Sequence, residues 1–190
     1  ASAHASAEPG MYFIDRANYF SNSWYFASLP CTNPCGEQPL LAWGVCNLGH
    51  VNLEPFVKDS QFDYEGLREH VAIATRFLDN VVDATLYFAP ENEEAQKNGI
   101  RRIGLGTLGL ADALIKMGIR YGSQESLDTI GKIYTVIRDT AYDTSADISR
   151  EKGPFKKFEA DKYLQSKLVQ TLREELQEKF GKYGISNGIL

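Results

Sequence analysis

Apolar side chains recur at steps of three and four along three long stretches of this chain, and each stretch predicts a helix with one buried face. Leu67, Val71, Ala74, Leu78 and Val81 form the first stripe, with Asp63 ahead of it as N-cap. Pro90 ends that stretch, and the acids at 91–94 read as a solvated loop. Leu127, Ile130, Tyr134, Ile137, Ala141 and Ile148 form the second stripe, between Ser123 as N-cap and Gly153-Pro154 as stop. Leu164, Leu168, Leu172 and Leu176 form the third, closed by Gly181, with its Glu and Lys residues on a solvated face. Together with a shorter apolar run ahead of Gly118, the pattern predicts helices over 64–88, 107–117, 124–152 and 159–180.

Short apolar runs bounded by turn residues predict strands, and they lie towards the N-terminus. One covers 11–15, between Glu8-Pro9-Gly10 and Asp15-Arg16-Ala17-Asn18; another, with its turn, covers 45–53. Between them, 19–29 is rich in aromatic residues (Tyr19, Phe20, Trp24, Tyr25, Phe26), which read as core packing. Strands followed by long helices make this an α/β chain, helix-rich, with neither an internal repeat nor a low-complexity tract.

The chemistry concentrates in Cys31-Thr32-Asn33-Pro34-Cys35-Gly36-Glu37-Gln38-Pro39-Leu40, continued by Cys46-Asn47-Leu48-Gly49. Asn33, Cys35 and Glu37 occupy alternate positions, which extended backbone turns to one side. Pro34 fixes its own φ and pushes Asn33 towards extended geometry, while Gly36 allows a bend or a close approach. An amide, a thiol and a carboxylate would then meet one bound molecule from a stiff loop.

Other readings of the same residues are weaker. Cys31, Cys35 and Cys46 lack the paired C-x2-C spacing of zinc sites and a clear fourth ligand, so no metal is expected, and Cys31 reads as a small buried filler. Gly104-Leu105-Gly106-Thr107-Leu108-Gly109 matches the dinucleotide-binding G-x-G-x-x-G, which requires a buried strand before it. Arg101-Arg102 fits such a strand poorly, so a structural role is expected for 104–109.

A net charge of −5 argues against a broad nucleic-acid or anionic-membrane surface. Three cysteines do not suggest a disulfide scaffold, so the cytoplasm is the expected compartment. No uncharged apolar run reaches the ~18 residues that a membrane span needs. At 190 residues the chain fits one domain or a piece of a larger one.

The string NPCGEQPL followed by CNLG resembles the finger loop of ribonucleotide reductases, whose pattern Asn-x-Cys-x-Glu it matches at Asn33, Cys35 and Glu37. It is most similar to the adenosylcobalamin-dependent branch. The resemblance spans 1–190 and implies part of a ten-stranded α/β barrel, with the loop at 31–40 threading its centre, the remaining helices and strands at 63–190, and small residues at 104–109 that let a helix pack closely. It implies an internal piece of a longer enzyme, inactive alone, or else a split subunit that lends its loop to another chain.

It also implies roles. Cys35 would carry a thiyl radical that removes the 3′ hydrogen of a ribonucleoside di- or triphosphate. Glu37 would take the 3′ hydroxyl proton, and Asn33, with Leu48, would bind the substrate. Cys46 would be half of the dithiol that ends as a disulfide, its partner lying outside this chain. Adenosylcobalamin, nucleotide effectors, a thioredoxin-type reductant and a homo-oligomer are implied for the full enzyme. The residue types suit that work: sulfur exchanges a hydrogen atom with a sugar, a carboxylate within ~3 Å of a hydroxyl is a competent base, and an amide orients without titrating.

Overall fold

In the computed structural model, which describes residues 2–190, a pair of parallel strands backed by long helices carries the loop at 31–40. In chain order, α1 (Ser2–Ser6) and α2 (Ile14–Phe20) precede a small hairpin, β1 (Cys31–Thr32) and β2 (Pro39–Leu40). Next come β3 (Asn47–Asn52), a second hairpin of β4 (Val57–Lys58) and β5 (Gln61–Phe62), and α3 (Tyr64–Ala84). After α4 (Pro90–Ala95) follow β6 (Ile103–Leu108), α5 (Leu110–Met117) and α6 (Gln124–Lys152). The chain closes with α7 (Ala160–Tyr163) and α8 (Glu174–Tyr183).

β3 and β6 run parallel, with Asn47 opposite Ile103 and Asn52 opposite Leu108. Parallel neighbours need a crossover connection, and α3 lies within it. The inner stripe of α3 packs on the strand pair and on α6. Leu78, Val82 and Ile103 make one buried cluster, and Leu53, Phe56, Leu67, Val71, Ala113, Ile133 and Ile137 make a larger one. Each of the Leu, Ile, Val and Phe side chains contributes about 1.5–3 kcal/mol on burial. A further core, built on Tyr142, Phe155, Tyr163, Leu176 and Phe180, holds the C-terminal segments to α6. The α/β class is as expected, but the described residues form only two-stranded sheets and no closed barrel.

Both predicted caps are present: the Asp63 carboxylate accepts from Gly66 N–H at 2.8 Å, and the Ser123 hydroxyl from Ser126 N–H at 3.2 Å. The buried face of α3 includes Thr75, Asp79 and Val82, while Ala74 and Val81 lie at its edge. Asp79 is buried because partners surround it: Arg101 Nη2 and Lys152 Nζ each donate at 2.8 Å, and Ser186 and Asn187 each at 3.0 Å. Burial alone would raise this carboxyl, but the bonds from Lys152 and Arg101 hold it below the usual range.

Several expected elements differ. The predicted strand at 11–15 gives way to α2, which starts at Ile14 with Asp15 in its first turn, and Met11 and Phe13 are exposed. Tyr19, Phe20 and Trp24 are also exposed, and only Tyr25 and Phe26 of that group pack on the C-terminal core. The first long helix stops at Ala84, and Pro90 starts α4, where a missing N–H costs nothing. On α6, Leu127 and Tyr134 point outward, and Ile133, Tyr142 and Ala146 take the inner face.

The helix expected at 159–180 is three pieces: α7, a 3-10 turn at Val169–Thr171, and α8. Its leucines still face the core, because the chain bends around buried Tyr163 and Ser166. Ser166 donates to the Asn22 side chain at 2.6 Å, a contact that a straight helix would not require. The stop is Gly184, at φ +72, and Gly181 lies inside α8.

Candidate functional site

The segment 31–40 folds as a hairpin finger. β1 and β2 pair antiparallel, Cys31 opposite Leu40 and Thr32 opposite Pro39. At the tip, Gly36 N–H donates to Asn33 O at 3.0 Å and Asn33 N–H to Gln38 O at 3.1 Å. Gly36 sits at φ +84, which a glycine adopts without strain. The backbone therefore turns between Asn33 and Gln38 where the alternating pattern predicts extended chain. Pro34 and Gly36 are the residues that a tight turn favours.

The turn brings two of the three candidate groups together directly. Asn33 Nδ2 donates to Glu37 Oε1 at 2.5 Å, and Asn33 Oδ1 accepts from Gln38 N–H at 2.9 Å. Asn33 is thereby locked in orientation, with its carbonyl on the backbone and its amino group on the carboxylate. Cys35 lies between them in sequence at the exposed tip, a free thiol. Cys31, expected as a buried filler, is exposed as well; its place at the open end of the hairpin leaves nothing to fill.

Cys46 immediately precedes β3, half-buried, and its thiol donates to Asn47 O at 3.5 Å. The parallel register places Asn47 opposite Ile103, so one step earlier Cys46 falls opposite Arg102. Cys46, Leu48 and His50 share one face of β3 by alternation, and Leu48 is half exposed there.

That face lies over glycines. A Cβ at Gly104 would sit 2.5 Å from Leu48 Cδ2, 2.8 Å from Gln38 Nε2 and 3.1 Å from Cys46 Sγ. A Cβ at Gly106 would sit 2.7 Å from the His50 ring. Gly104 thus leaves the space in which the finger's Gln38 meets Cys46 and Leu48.

Arg102 and Gln38 belong to this site, and the sequence reading assigned them no role. Arg102 is 2 % exposed. Its Nη1 donates to Gln38 Oε1 at 3.2 Å, and its backbone is clamped by Gln96, which accepts from Arg102 N–H at 3.0 Å and donates to Arg102 O at 2.5 Å. Its Nε and Nη2 have no acceptor among the described residues. Burial pushes the Arg102 guanidinium down to about 10. Burial likewise pushes the Cys46 thiol up to about 11, with Arg102 opposing the rise and Glu37 adding to it. The available signal was the charge pair Arg101-Arg102 beside Gly104: Arg101 is consumed by Asp79 and Asp83, which leaves Arg102 for the site.

The segment 103–108 corrects an expectation. It is strand β6, not the start of a helix, and α5 begins only at Leu110. The arginines do not prevent the strand because both precede it. Nor do the glycines make a dinucleotide turn: Gly104 and Gly106 lie inside the strand, and only Gly109, at φ +71, stands between strand and helix. Among the described residues, no three His, Cys, Asp or Glu side chains converge as a metal site requires. No helix among them is long and apolar enough to cross a membrane.

Comparison with known proteins points in one direction. The family model for the ribonucleotide reductase barrel domain matches residues 1–190. A vitamin B12-dependent ribonucleoside-diphosphate reductase of Thermoplasma acidophilum is 42% identical over 154 residues, 80% of this chain and 20% of that protein. A protein of the same name from Mycobacterium tuberculosis is 37% identical over 165 residues, 87% of this chain and 24% of its own length. The ribonucleoside-diphosphate reductase large subunit of Variola virus is 31% identical over 196 residues, covering 96% of this chain and 25% of its own. The chain therefore spans a quarter or less of these relatives.

Proposed function

The chain belongs to the ribonucleotide reductase barrel-domain family, and from that premise we propose that it supplies the finger loop and one redox cysteine of an enzyme that reduces ribonucleotides to their 2′-deoxy forms. Cys35, as a thiyl radical, removes the 3′ hydrogen atom of the substrate ribose. Glu37 takes the proton of the 3′ hydroxyl, and Asn33 holds the sugar hydroxyls; Leu48 packs against the bound nucleotide. With the neighbouring carbon activated, the 2′ hydroxyl takes a proton from one of two thiols and leaves as water. The hydrogen of the second thiol takes its place on the 2′ carbon, and Glu37 returns its proton to the 3′ oxygen. Those two thiols supply the two electrons and close to a disulfide, one of them Cys46 and the other outside this chain. The hydrogen atom then returns from Cys35 to the 3′ carbon.

The observation that carries this reading is the locked tip. A carboxylate and an amide joined at 2.5 Å flank a free, exposed thiol in sequence. The next residue, Gln38, lines with Cys46 the space over Gly104. A carboxylate that must collect a proton needs such an orienting partner, since misplacement by 1 Å costs about 10²-fold.

The relatives' names favour diphosphates as substrate and adenosylcobalamin as cofactor. When bound, that cofactor supplies the unpaired electron, and the exposed thiol of Cys35 is open to give up its hydrogen atom. The described residues offer no set of groups that would grip a corrinoid. The reading extends to nucleotide effectors, a thioredoxin-type dithiol, a second copy of the chain and a cytoplasmic setting. It also holds that these 190 residues turn over no substrate without the rest of the barrel.

A single turnover tests it. The full-length enzyme, loaded with cofactor and a ribonucleoside diphosphate but given no external reductant, should form about one deoxynucleotide per site and leave the Cys46 peptide in a disulfide. Deoxynucleotide formed with Cys46 still reduced would contradict the proposed role of that thiol.

A further inference from the structure

A buried cation with unused donors implies a counter-charge, and the fold restricts what it can be. Arg102 Nε and Nη2 are inaccessible to solvent and have no acceptor among the described residues. An external phosphate or carboxylate therefore cannot reach them without opening the chain. The titratable groups close enough for their charge to act on the guanidinium are Cys46, Tyr12 and Tyr142. Burial pushes Tyr142 up to about 12 and raises Tyr12, so neither phenol ionises readily. Cys46 remains. It stands across the strand pair from Arg102, one step before Asn47 and Ile103, and Gln38, which accepts from Arg102 at 3.2 Å, borders with the Cys46 sulfur the space over Gly104.

We infer that Arg102 is a positioning residue for Cys46: its unpaired guanidinium is the built-in counter-ion that receives the sulfur whenever Cys46 becomes a thiolate. At rest the burial-raised thiol stays protonated. The charge matters when a disulfide at Cys46 is reduced, which rests on the role proposed for Cys46 above. A thiolate of a dithiol reductant attacks the partner sulfur and forms a new S–S bond there. The old S–S bond breaks, and its electron pair leaves on Cys46 as a thiolate, which later takes a proton from water. A leaving thiolate departs faster the more its charge is stabilised. Glu37, facing Cys46 from the finger, opposes that stabilisation, and Arg102 outweighs it. The arrangement keeps a buried cysteine exchangeable in a place where desolvation alone would make it inert.

The test reads the sulfur directly and needs no turnover. In the full-length chain, iodoacetamide labelling of the Cys46 peptide is followed by mass spectrometry across the alkaline range, with Cys35→Ser present to silence the finger. Arg102→Met should slow labelling about tenfold near neutral pH and move its profile up by about one unit. Arg102→Lys, which keeps the charge, should restore most of the rate. Superimposed profiles for wild type and Arg102→Met would overturn the inference. Should Arg102→Met not fold, Cys46→Asp decides: with a vacant counter-ion beside it, this chain melts at or above Cys46→Asn at neutral pH, and a clearly lower melt overturns the inference. Because none of these readouts involves a nucleotide, failure of the reductase reading would leave them unchanged.

Discussion

The side-chain amide of Asn33 donates to the Glu37 carboxylate at 2.5 Å, across the tip of a finger that carries the exposed thiol of Cys35. This bond makes the tip a preset unit, because Asn33 is held at its other end by Gln38 N–H at 2.9 Å. Glu37→Gln keeps the shape and removes the proposed base, so in the full-length enzyme it should lower the rate of deoxynucleotide formation by about 10²–10⁴-fold with little change in substrate binding. Steady-state turnover alongside equilibrium nucleotide binding checks the split between the two.

Gly104 and Gly106 lie two residues apart on one strand, yet they predict different outcomes. An alanine at 104 meets Leu48, Gln38 and Cys46 together, so the finger side chain and the Cys46 sulfur must both shift. Gly104→Ala should cost about 1–3 kcal/mol of stability and lose activity well beyond that. At 106 the obstruction is the exposed ring of His50, which can swing into solvent. Gly106→Ala should therefore be nearly silent in turnover, and paired melting and activity curves distinguish the two variants.

Asp79 ties α3 to Arg101, Lys152 and the C-terminal Ser186-Asn187, so it welds the strand pair to the second core. Asp79→Ala should cost about 3–5 kcal/mol, since it leaves buried partners uncompensated. Its carboxyl is held below the ordinary range in the fold, so the stabilisation is present above the unfolded value of about 4 and is lost as pH falls through the folded one. Melting temperatures across the acid range should show this dependence in the wild type and a flatter profile in Asp79→Asn.

The helices that the sequence pattern located well are those whose periodicity and caps agree: Asp63 and Ser123 both cap where expected. The pattern failed at 159–180 because leucines at steps of four face a core equally well from a bent chain, and only the distant Asn22–Ser166 contact shows the bend. It failed at 103–108 because the alternate glycines carry no polar side chain to mark a solvated face; the strand exists through its pairing with β3, a partner far away in sequence. In the candidate site, Asn33, Cys35, Glu37 and Cys46, the residues proposed to do the chemistry, were legible as candidates. Arg102 and Gln38 were not, since their meaning depends on a register and a burial that no local pattern encodes.

Asn22 offers a check on how the N-terminal segment is anchored. Its amide donates to Tyr142 and Tyr163 hydroxyls at 3.1 and 3.3 Å and to Gly188 O at 3.2 Å, all buried. Asn22→Ala should destabilise by about 1–3 kcal/mol by leaving those groups unpaired. Chemical denaturation should show the loss as a lower midpoint with an unchanged slope.

The finger's sulfur is where the proposed chemistry stands or falls. Replacing one atom, in Cys35→Ser, leaves the hairpin and the Asn33–Glu37 bond in place while removing a group able to exchange a hydrogen atom with the sugar. In the full-length, cofactor-loaded enzyme, deoxynucleotide formation by this variant should fall to background while ribonucleotide binding stays within a few-fold of wild type. Deoxynucleotide produced at the wild-type rate would contradict the account.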